Sequence, residues 1–419
     1  MTVSSPVRPA RATASPSRTT VTLALLALAT GGFAIGTTEF VSMGLLPELA
    51  DGVGVSIPRA GHAISAYALG VVVGAPLIAV LGARLPRRGL LVALMGVFLL
   101  GNAATAIASS YAGLMAARFV AGVPHGAYFG VASLVAAGLV PPERRGRAVS
   151  RVLLGLAVAN VAGVPAATWL GQHAGWRSAY LLVAVLAALT IVLVAILVPG
   201  APGDPSATGR KELRAFRDPQ VLLTLFAGAI GFGGMFAMYS YIAPTVTSVA
   251  GLSGGVVPLY LLAFGLGMVV GTPLAGRMTD WSVLRTVAIG MVSMMLVLLL
   301  FTVTSAWFLP GLLTTFAVAV LTSLVAVGLQ MRLMQVAGDA QTIGAAMNHS
   351  ALNLANALGA WLGGLVIAAG YGYLAPSYVG AGLSLLGLVV LLASATLHRR
   401  TTTQSGSGSA RVSSAASRS

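Results

Sequence analysis

Residues 31–48 read GGFAIGTTEFVSMGLLPE and form the later part of an apolar run that begins near Val21. Glu39 lies inside this run. The chain has nine acidic residues, and we place the other eight in loops or at helix ends. Carboxylates within hydrocarbon are rare, face a protein interior or a water-filled cavity, and usually serve transport or proton transfer. The stretch therefore predicts a membrane-spanning helix with a functional carboxyl group, although pairing with a neighbouring helix would also explain Glu39.

The composition of the whole chain gives the same class of protein. Of its 419 residues 57% are hydrophobic and 8% are charged, whereas about a quarter of a soluble protein is charged. The net charge of +15 is divided among short segments between apolar runs, which is how membrane topology is encoded. We therefore expect an all-α polytopic membrane protein in a lipid bilayer and no nucleic-acid partner. The absence of cysteine excludes thiolate metal sites and cysteine nucleophiles.

The apolar segments divide the chain into two halves. A spanning helix needs about 20 mostly apolar residues, and twelve segments meet this length. Residues 21–199 and 218–398 would each form a six-helix bundle, joined by a polar cytoplasmic linker at 200–217. Residues 1–20 and 399–419 are predicted as disordered cytoplasmic tails. The predicted spans are 21–46, 60–82, 89–109, 113–139, 149–170, 177–198, 219–243, 254–275, 285–305, 308–329, 341–368 and 376–397.

The basic residues predict the orientation of these spans. With both termini in the cytoplasm, all but three of the 24 basic residues fall in cytoplasmic segments. Arg59 and Arg177 fall outside, and Arg118 lies within a span. Cytoplasmic loops carry the excess of basic residues in membrane proteins, so the asymmetry supports an even number of spans.

The two halves share an internal repeat. AYALGVVVGAPL at Ala66–Leu77 matches AFGLGMVVGTPL at Ala263–Leu274, and the two prolines, Pro76 and Pro273, are 197 residues apart. Pro47 and Pro244 keep this spacing. ANVAG at 159–163 matches ANALG at 355–359 at a spacing of 196. Parallel repeats of six helices around a central site are one transporter architecture.

Four further motifs point to a known family. They are GTTEF at 36–40, RFVAGVPHGAYFG at 118–130, NVAGVPAATWLG at 160–171 and GWRSAY at 175–180. Together they resemble the major facilitator superfamily, specifically its drug:proton antiporter branch with the AraJ-type and chloramphenicol-resistance-type exporters. The resemblance covers about residues 21–397. It implies a twelve-helix exporter fold and a fifth helix that takes part in the conformational switch, with Gly163 and Pro165 in that motif.

One loop departs from the family pattern. The family carries Gly-x-x-x-Asp-Arg between helices 2 and 3, where the aspartate locks the loop to neighbouring helices. The second half keeps part of this pattern at 276–280, ending in Asp280. In the first half Ala83 stands at the aspartate position and Arg84 follows it. We assign Arg84 and Asp280 to gating, and the substitution by Ala83 puts a carboxylate latch in the first half in doubt.

Glu39 and Arg118 are the predicted proton-coupling residues. A carboxyl group held away from water can take up and release a proton near neutral pH. Arginine stays protonated in proteins, so Arg118 would tune a nearby carboxyl group, hold a polar network or bias the transport states. A purely structural role for Arg118 explains the sequence nearly as well.

The predicted substrate cavity combines aromatic, methionine and polar side chains. Aromatics with methionine suit an adaptable apolar pocket, while His349, Asn353 and Asn356 form a polar stripe on one helix face. Packing between helices would also explain both sets. The predicted cavity residues are Phe33, Phe40, His125, Tyr128, Asn160, Phe232, Met235, Phe236, Tyr239, His349, Asn353 and Asn356.

The favoured hypothesis is a proton-coupled exporter of small, fairly apolar compounds or drugs in a bacterial cytoplasmic membrane, acting as a monomer by alternating access. A sugar or nucleoside facilitator without proton coupling is the alternative. An intramembrane enzyme would need a partner acid for Glu39 or a Ser/His/Asp set, and we expect none. The sequence contains no phosphate-binding loop, HExxH motif or zinc-ligand cluster, so we expect neither cofactor nor metal.

Overall fold

The protein is a bundle of long helices. The computed structural model describes residues 17–82, 84–200, 218–336 and 341–416, with side chains described outside 79–80, 341–347 and 398–416. No strand occurs in these ranges. The spanning helices are α1 Arg18–Gly44, α2 Ile57–Gly82, α3 Arg87–Ile107, α4 Tyr111–Gly138, α5 Pro142–Ala174, α6 Trp176–Leu197, α7 Pro219–Tyr239, α8 257–281, α9 283–304, α10 Phe308–Val336, α11 Gln341–Val366 and α12 Ala375–Ala416.

The prediction of twelve spans is confirmed once a break in one long helix is taken into account. Eleven helical segments within the described residues are long and apolar enough to cross a membrane. One of them, Gly254–Thr304, has 51 residues, about twice the length that a bilayer requires. Ser282 interrupts it with an extended backbone (φ −167°, ψ 113°). The chain reverses there, so α8 and α9 are separate spans.

The structure covers only part of the predicted tails and of the predicted linker between the halves. Helix α1 starts at Arg18, where the side chain of Ser17 accepts a hydrogen bond from the backbone N–H of Thr20 at 3.1 Å. Residues 1–16 and 201–217 lie outside the described residues, so the first tail and most of the linker stay predictions. The predicted disorder from residue 399 differs from the structure, in which α12 continues to Ala416. Extending an existing helix needs no new nucleus, which explains how polar residues can continue it.

The 197-residue repeat reappears in the packing of the helices. A Cβ atom on Gly70 of α2 would collide with the carbonyl oxygen of Phe119 on α4. At the same spacing, a Cβ on Gly267 of α8 would collide with the carbonyl oxygen of Phe316 on α10. Gly74 and Gly271 repeat the arrangement one turn later against Val123 and Val320. Glycine is required at these positions because the paired helices approach backbone to backbone.

Hydrogen bonds join the two halves at the end of the bundle that lies opposite the termini. We call this the distal end; it includes the connections at 45–56, which contains the short helix Leu46–Gly52, at 108–110 and at 250–256. There the Ser65 hydroxyl donates to the carbonyl oxygen of Ala357 at 3.0 Å, and Gln172 Nε2 donates to that of Gly254 at 2.9 Å. Both hydrogen bonds join one half to the other, so the distal end is closed.

Candidate functional site

Glu39 and Arg118 lie together inside the N-terminal half. Glu39 is 7% exposed and Arg118 is fully buried. The charge of Arg118 acts on the Glu39 carboxyl group, yet no described residue forms a hydrogen bond or ion pair with that group. Glu39 is five residues before the end of α1, about 8 Å along the helix axis. The carboxyl group is therefore buried in the distal third of the bundle rather than at the midplane.

Arg118 is held by the residue next to Glu39. Its Nη1 and Nη2 atoms donate to the hydroxyl and the carbonyl oxygen of Thr38 at 3.1 and 3.2 Å. The Thr38 hydroxyl in turn donates to Oδ1 of Asn102. Arg118 Nε has no partner among the described residues. The guanidinium group is thus fixed by α1, and its Nε–H group lacks an acceptor in the described part of the chain.

Two tyrosine rings enclose the guanidinium group. The Arg118 Cζ atom lies 4.4 Å from the ring centre of Tyr67 and 5.4 Å from that of Tyr180. Such cation–π contacts stabilise a desolvated cation by about 2 kcal/mol. Gly122, one turn after Arg118, makes the first contact possible, because any Cβ there would collide with the Tyr67 carbonyl oxygen.

His125 links this centre to the C-terminal half. Its Nδ1 atom is 3.0 Å from the Tyr67 hydroxyl, and its ring centre is 5.5 Å from that of Phe129. The Phe129 ring stacks on His349 of α11 with centres 6.0 Å apart and an interplanar angle of 8°. The contacts therefore run from Arg118 through Tyr67 and His125 to a histidine in the other half.

The polar stripe on α11 contains unpaired amide groups. Asn353 Nδ2 donates to the carbonyl oxygen of His349 at 3.0 Å, but its Oδ1 is buried without a partner. Asn356 is fully buried, and neither Oδ1 nor Nδ2 has a partner among the described residues. A buried polar group without a partner costs about 1–3 kcal/mol. The stripe thus offers donor and acceptor groups to a ligand or to water.

An aromatic cluster lies between the two halves near Glu39. The ring of Phe40 from α1 packs against Phe236, Tyr239 and Phe264 with centres 6.1–6.4 Å apart. Tyr239 and Phe264 stack at 3.9 Å, and Phe232 packs edge-on against Phe236 at 5.6 Å. Met235 is buried in the same core. These predicted cavity residues form a packed apolar wall that also closes the distal end.

Tyr128 lies outside this aromatic cluster, so its predicted place in the substrate cavity stays a prediction. Its hydroxyl donates to the carbonyl oxygen of Leu28 at 2.8 Å, and its ring covers Gly31 of α1 within the core of the N-terminal half. Three residues after His125, Tyr128 points about 60° away from it around the helix, whereas Phe129 points only about 40° away. Phe129 takes the position beside His125 for this reason.

Asn160, Gly163 and Pro165 lie at a break in α5. Residues Ala159–Gly163 form a π-helix, and the proline two residues later has no N–H to continue the normal ladder. Asn160 Nδ2 donates within α5 to the carbonyl oxygen of Leu156 at 3.0 Å. A Cβ on Gly163 would meet the half-buried ring of Phe33. Phe33 thus packs between α1 and α5, and the break contacts α1 directly.

The predicted gating residues lie at the other end of the bundle. Arg84 is exposed in the turn between α2 and α3, and Asp280 is exposed near the end of α8. The structure does not bring either of them to the buried centre, and their gating role stays a prediction. Ala83 lies outside the described residues.

Several site residues were missing from the sequence-based prediction. Thr38, Tyr67, Asn102 and Tyr180 are all buried around Arg118, and Phe264 completes the aromatic cluster. The sequence repeat could have pointed to Tyr67, because Tyr67 and Phe264 occupy the same position in the two matched segments and differ by a hydroxyl group. The hydroxyl group is thus the feature that only the first half carries. Among the described residues, no cluster of three or more histidine, aspartate or glutamate side chains could hold a metal ion.

A twelve-span bundle of two repeated halves, with buried charges and unpaired polar groups near their interface, has the architecture of a secondary transporter. Residues 28–348 match the family model for the Major Facilitator Superfamily. The chain belongs to this family of membrane transporters.

Individual relatives agree with this assignment. The inner membrane transport protein YdhP of Escherichia coli K12 is 41% identical over 371 residues, covering 88% of this chain and 95% of YdhP. AraJ of the same organism is 37% identical over 373 residues, covering 88% and 93%. The chloramphenicol resistance protein of Streptomyces lividans is 38% identical over 262 residues, covering 62% and 67%.

The fold is also similar to that of a solved transporter. A crystal structure of the D-xylose-proton symporter superposes with a TM-score of 0.70 and 17% identity, covering 88% of this chain and 97% of the symporter. At this level of identity the similarity concerns the fold alone.

Proposed function

We propose that this protein exports small, fairly apolar compounds from the bacterial cytoplasm across the inner membrane in exchange for protons. Glu39 would carry the proton, and the two halves would move around the central site to expose it to each side in turn. The observation that carries the proposal is Glu39 itself. Glu39 is 7% exposed and lies close to a buried arginine, and no described residue holds its carboxyl group by a hydrogen bond. A carboxyl group that merely fastened two helices would have such a partner.

The surroundings of Glu39 suit reversible protonation. Arg118 favours the carboxylate form through its charge, while burial favours the neutral form. Two N–H groups of the guanidinium group donate to Thr38, so Arg118 does not hold Glu39 in a permanent ion pair. Glu39 can therefore bind and release a proton without the loss of a structural contact.

We infer the substrate class from the groups at the interface between the two halves. Phe40, Phe236 and Tyr239 offer apolar surface, and Asn356 offers one unpaired donor and one unpaired acceptor. Such a site favours a neutral, partly aromatic compound with a hydrogen-bonding group. The chloramphenicol resistance protein, similar over 62% of this chain, makes chloramphenicol-like compounds the first candidates.

The distribution of basic residues supports a cytoplasmic location of the termini, which would make the distal end the outer one. The closed distal end then corresponds to a state that faces the cytoplasm. In this state a substrate would enter from the inside, and its binding would accompany proton release from Glu39.

A transport assay in cells tests the proposal. The protein and its Glu39→Gln variant would be produced in a bacterial host depleted of exporters, and efflux of chloramphenicol-like drugs, purines and pentoses would be measured. We expect energised efflux of at least one apolar compound and its loss in the variant. Glu143→Gln is a matched control, because Glu143 is exposed near the start of α5. Efflux that is unchanged by Glu39→Gln would contradict the proposal.

A sugar or nucleoside transporter without proton coupling is the second candidate. It is favoured by the unpaired amides of Asn353 and Asn356, since polar substrates need such groups. This candidate would be favoured over the proton-coupled exporter if the protein exchanges a pentose or a purine nucleoside at a rate that does not depend on an imposed pH gradient.

A further inference from the structure

We infer that Tyr67 is a positioning residue that transmits the protonation state of Glu39 to His125, and through Phe129 to His349 in the other half. The inference rests on the proposed role of Glu39 and adds the route by which its charge reaches the contact between the halves.

The first step is the contrast between Tyr67 and its repeat partner Phe264. Both positions lie in the matched segments of α2 and α8, and both rings are buried. Phe264 satisfies the packing of α8 without a hydroxyl group, by stacking on Tyr239. The ring of Tyr67 can therefore be explained by packing, but its hydroxyl group cannot. That hydroxyl group lies 3.0 Å from Nδ1 of His125.

The second step is the position of Tyr67 between two sets of charges. The charges of both Glu39 and Arg118 act on Tyr67, and the guanidinium group lies 4.4 Å from its ring centre. On the other side, His349 acts electrostatically on His125. The titratable and charged groups around this pair are thus Glu39 of α1, Arg118 of α4 and His349 of α11.

The third step is the chemistry of a hydroxyl–imidazole pair. The Tyr67 hydroxyl can donate a hydrogen bond to Nδ1 of His125 or accept one from Nδ1–H, and the two arrangements belong to the two neutral tautomers of the ring. The O–H bond points toward His125 in the first arrangement and away from it in the second, so the charges of Glu39 and Arg118 act on the two arrangements differently. A change in the charge of Glu39 therefore favours one tautomer over the other. The tautomer sets whether Nε2 of His125 is a donor or an acceptor.

The depths of these residues fit a route across the membrane. From the distal ends of their helices, Glu39, Tyr67 and His125 lie about 8, 15 and 21 Å deep along the helix axes. His349 lies eight residues from the opposite end of α11, about 12 Å along that helix. The route thus starts near the closed distal end and reaches the half of the bundle on the side of the termini.

Histidine NMR tests the link without any substrate. The chain has five histidines, so ¹⁵N-histidine labelling of the full-length protein in nanodiscs gives few signals, and single His→Gln variants assign them. We expect Glu39→Gln to shift the ring-nitrogen signals of His125 in the otherwise native protein but not in the Tyr67→Phe protein. Tyr260→Phe is the control, since the Tyr260 hydroxyl donates to the Phe308 carbonyl oxygen, away from the site. The absence of a His125 shift, or an equal shift in the Tyr67→Phe protein, would overturn the inference.

Transport provides the second measurement. In proteoliposomes, Tyr67→Phe should lower transport driven by a pH gradient by about tenfold or more and leave substrate exchange without a gradient unchanged. An equal fall in both activities would assign Tyr67 a merely structural role. If the native protein transports no compound of the panel, the proposed function fails, while the NMR experiment still decides whether Glu39 and His125 are linked.

Discussion

In each half of the molecule two glycines of one helix lie against backbone carbonyl groups of another, at positions 197 residues apart. At the same spacing, Glu39 corresponds to Phe236, Tyr67 to Phe264, Arg118 to Thr315 and His125 to Thr322. The hydroxyl groups of both threonines donate to carbonyl oxygens of their own helix, at 2.9 and 2.8 Å.

This comparison separates what the fold requires from what the function requires. The helix packing of the C-terminal half needs no charge at the four positions, because aromatic rings and self-paired threonines occupy them. The buried charges of the N-terminal half therefore have no packing explanation. Buried charges are expensive in a membrane protein, which indicates that they are retained for transport.

The largest expected effect comes from replacing Arg118 by an apolar residue, compared with the same kind of replacement at Thr315, its equivalent in the repeat. Arg118→Met removes the charge that, among the described residues, acts on Glu39, so driven transport should fall by about 100-fold. Thr315→Val removes one bond within a helix, worth about 0.6 kcal/mol, and should leave transport nearly unchanged. Initial rates in proteoliposomes measure both. Equal losses would mean that the two halves share the coupling function.

The second effect concerns the glycine that brings Tyr67 to Arg118. Gly122→Ala should lower the free energy of unfolding by about 1–3 kcal/mol, because the new methyl group collides with the Tyr67 carbonyl oxygen. The repeat position holds Ala319, and Ala319→Gly should cost about 1 kcal/mol through helix propensity alone. Thermal unfolding in detergent compares the two. A stable Gly122→Ala protein would show that the close approach of α2 and α4 is not needed.

The third effect compares two asparagines in the 196-residue repeat. Asn356→Leu should weaken substrate binding by about tenfold, since the ligand then has no amide group at this position to form hydrogen bonds with. Asn160 already bonds within its own helix, so Asn160→Leu should change the affinity little. Binding of the exported compound to the purified variants provides the measurement. Lower stability of the Asn356→Leu protein with unchanged affinity would make Asn356 a structural residue.

The smallest effect concerns a carboxyl group outside the spans. Burial raises the pKa of Glu48 above its ordinary value of 4.5, and one of its oxygens has no partner. Folding therefore favours the protonated form, so this stabilising contribution is complete in acid and is lost as pH rises above 4.5 through the raised pKa. Glu48→Gln should unfold at a slightly higher temperature than the native protein near neutral pH and at the same temperature in acid. Melting curves from pH 4 to pH 8 test this, and a pH-independent difference would contradict it.

Much of the fold could be predicted because membrane spans are encoded in composition and length. The repeat followed from the spacing of Pro76 and Pro273, and the packing of Gly70 and Gly267 bears it out. Glu39 and Arg118 could be found because charges are conspicuous in apolar helices. The break at Ser282 was predicted as a loop, although only one residue departs from helical geometry.

The remaining site residues could not be predicted from the sequence alone. A tyrosine or threonine in an apolar helix usually serves packing, and nothing local distinguished Tyr67 from other buried tyrosines. The spacing of Tyr128 from His125 allows two neighbouring faces of α4, so the sequence alone does not show which of them Tyr128 occupies. The contacts of Thr38 with Arg118 and Asn102 depend on how three helices pack.

The most direct test of the account measures proton-driven accumulation of the exported compound in proteoliposomes. The native protein should concentrate this compound inside vesicles of the matching orientation when a pH gradient is imposed. Glu39→Gln should accumulate none against its gradient, because a glutamine side chain cannot release the proton that is exchanged for the substrate. If the Glu39→Gln protein accumulates the compound as the native protein does, the buried carboxyl group of the N-terminal half is not the coupling site.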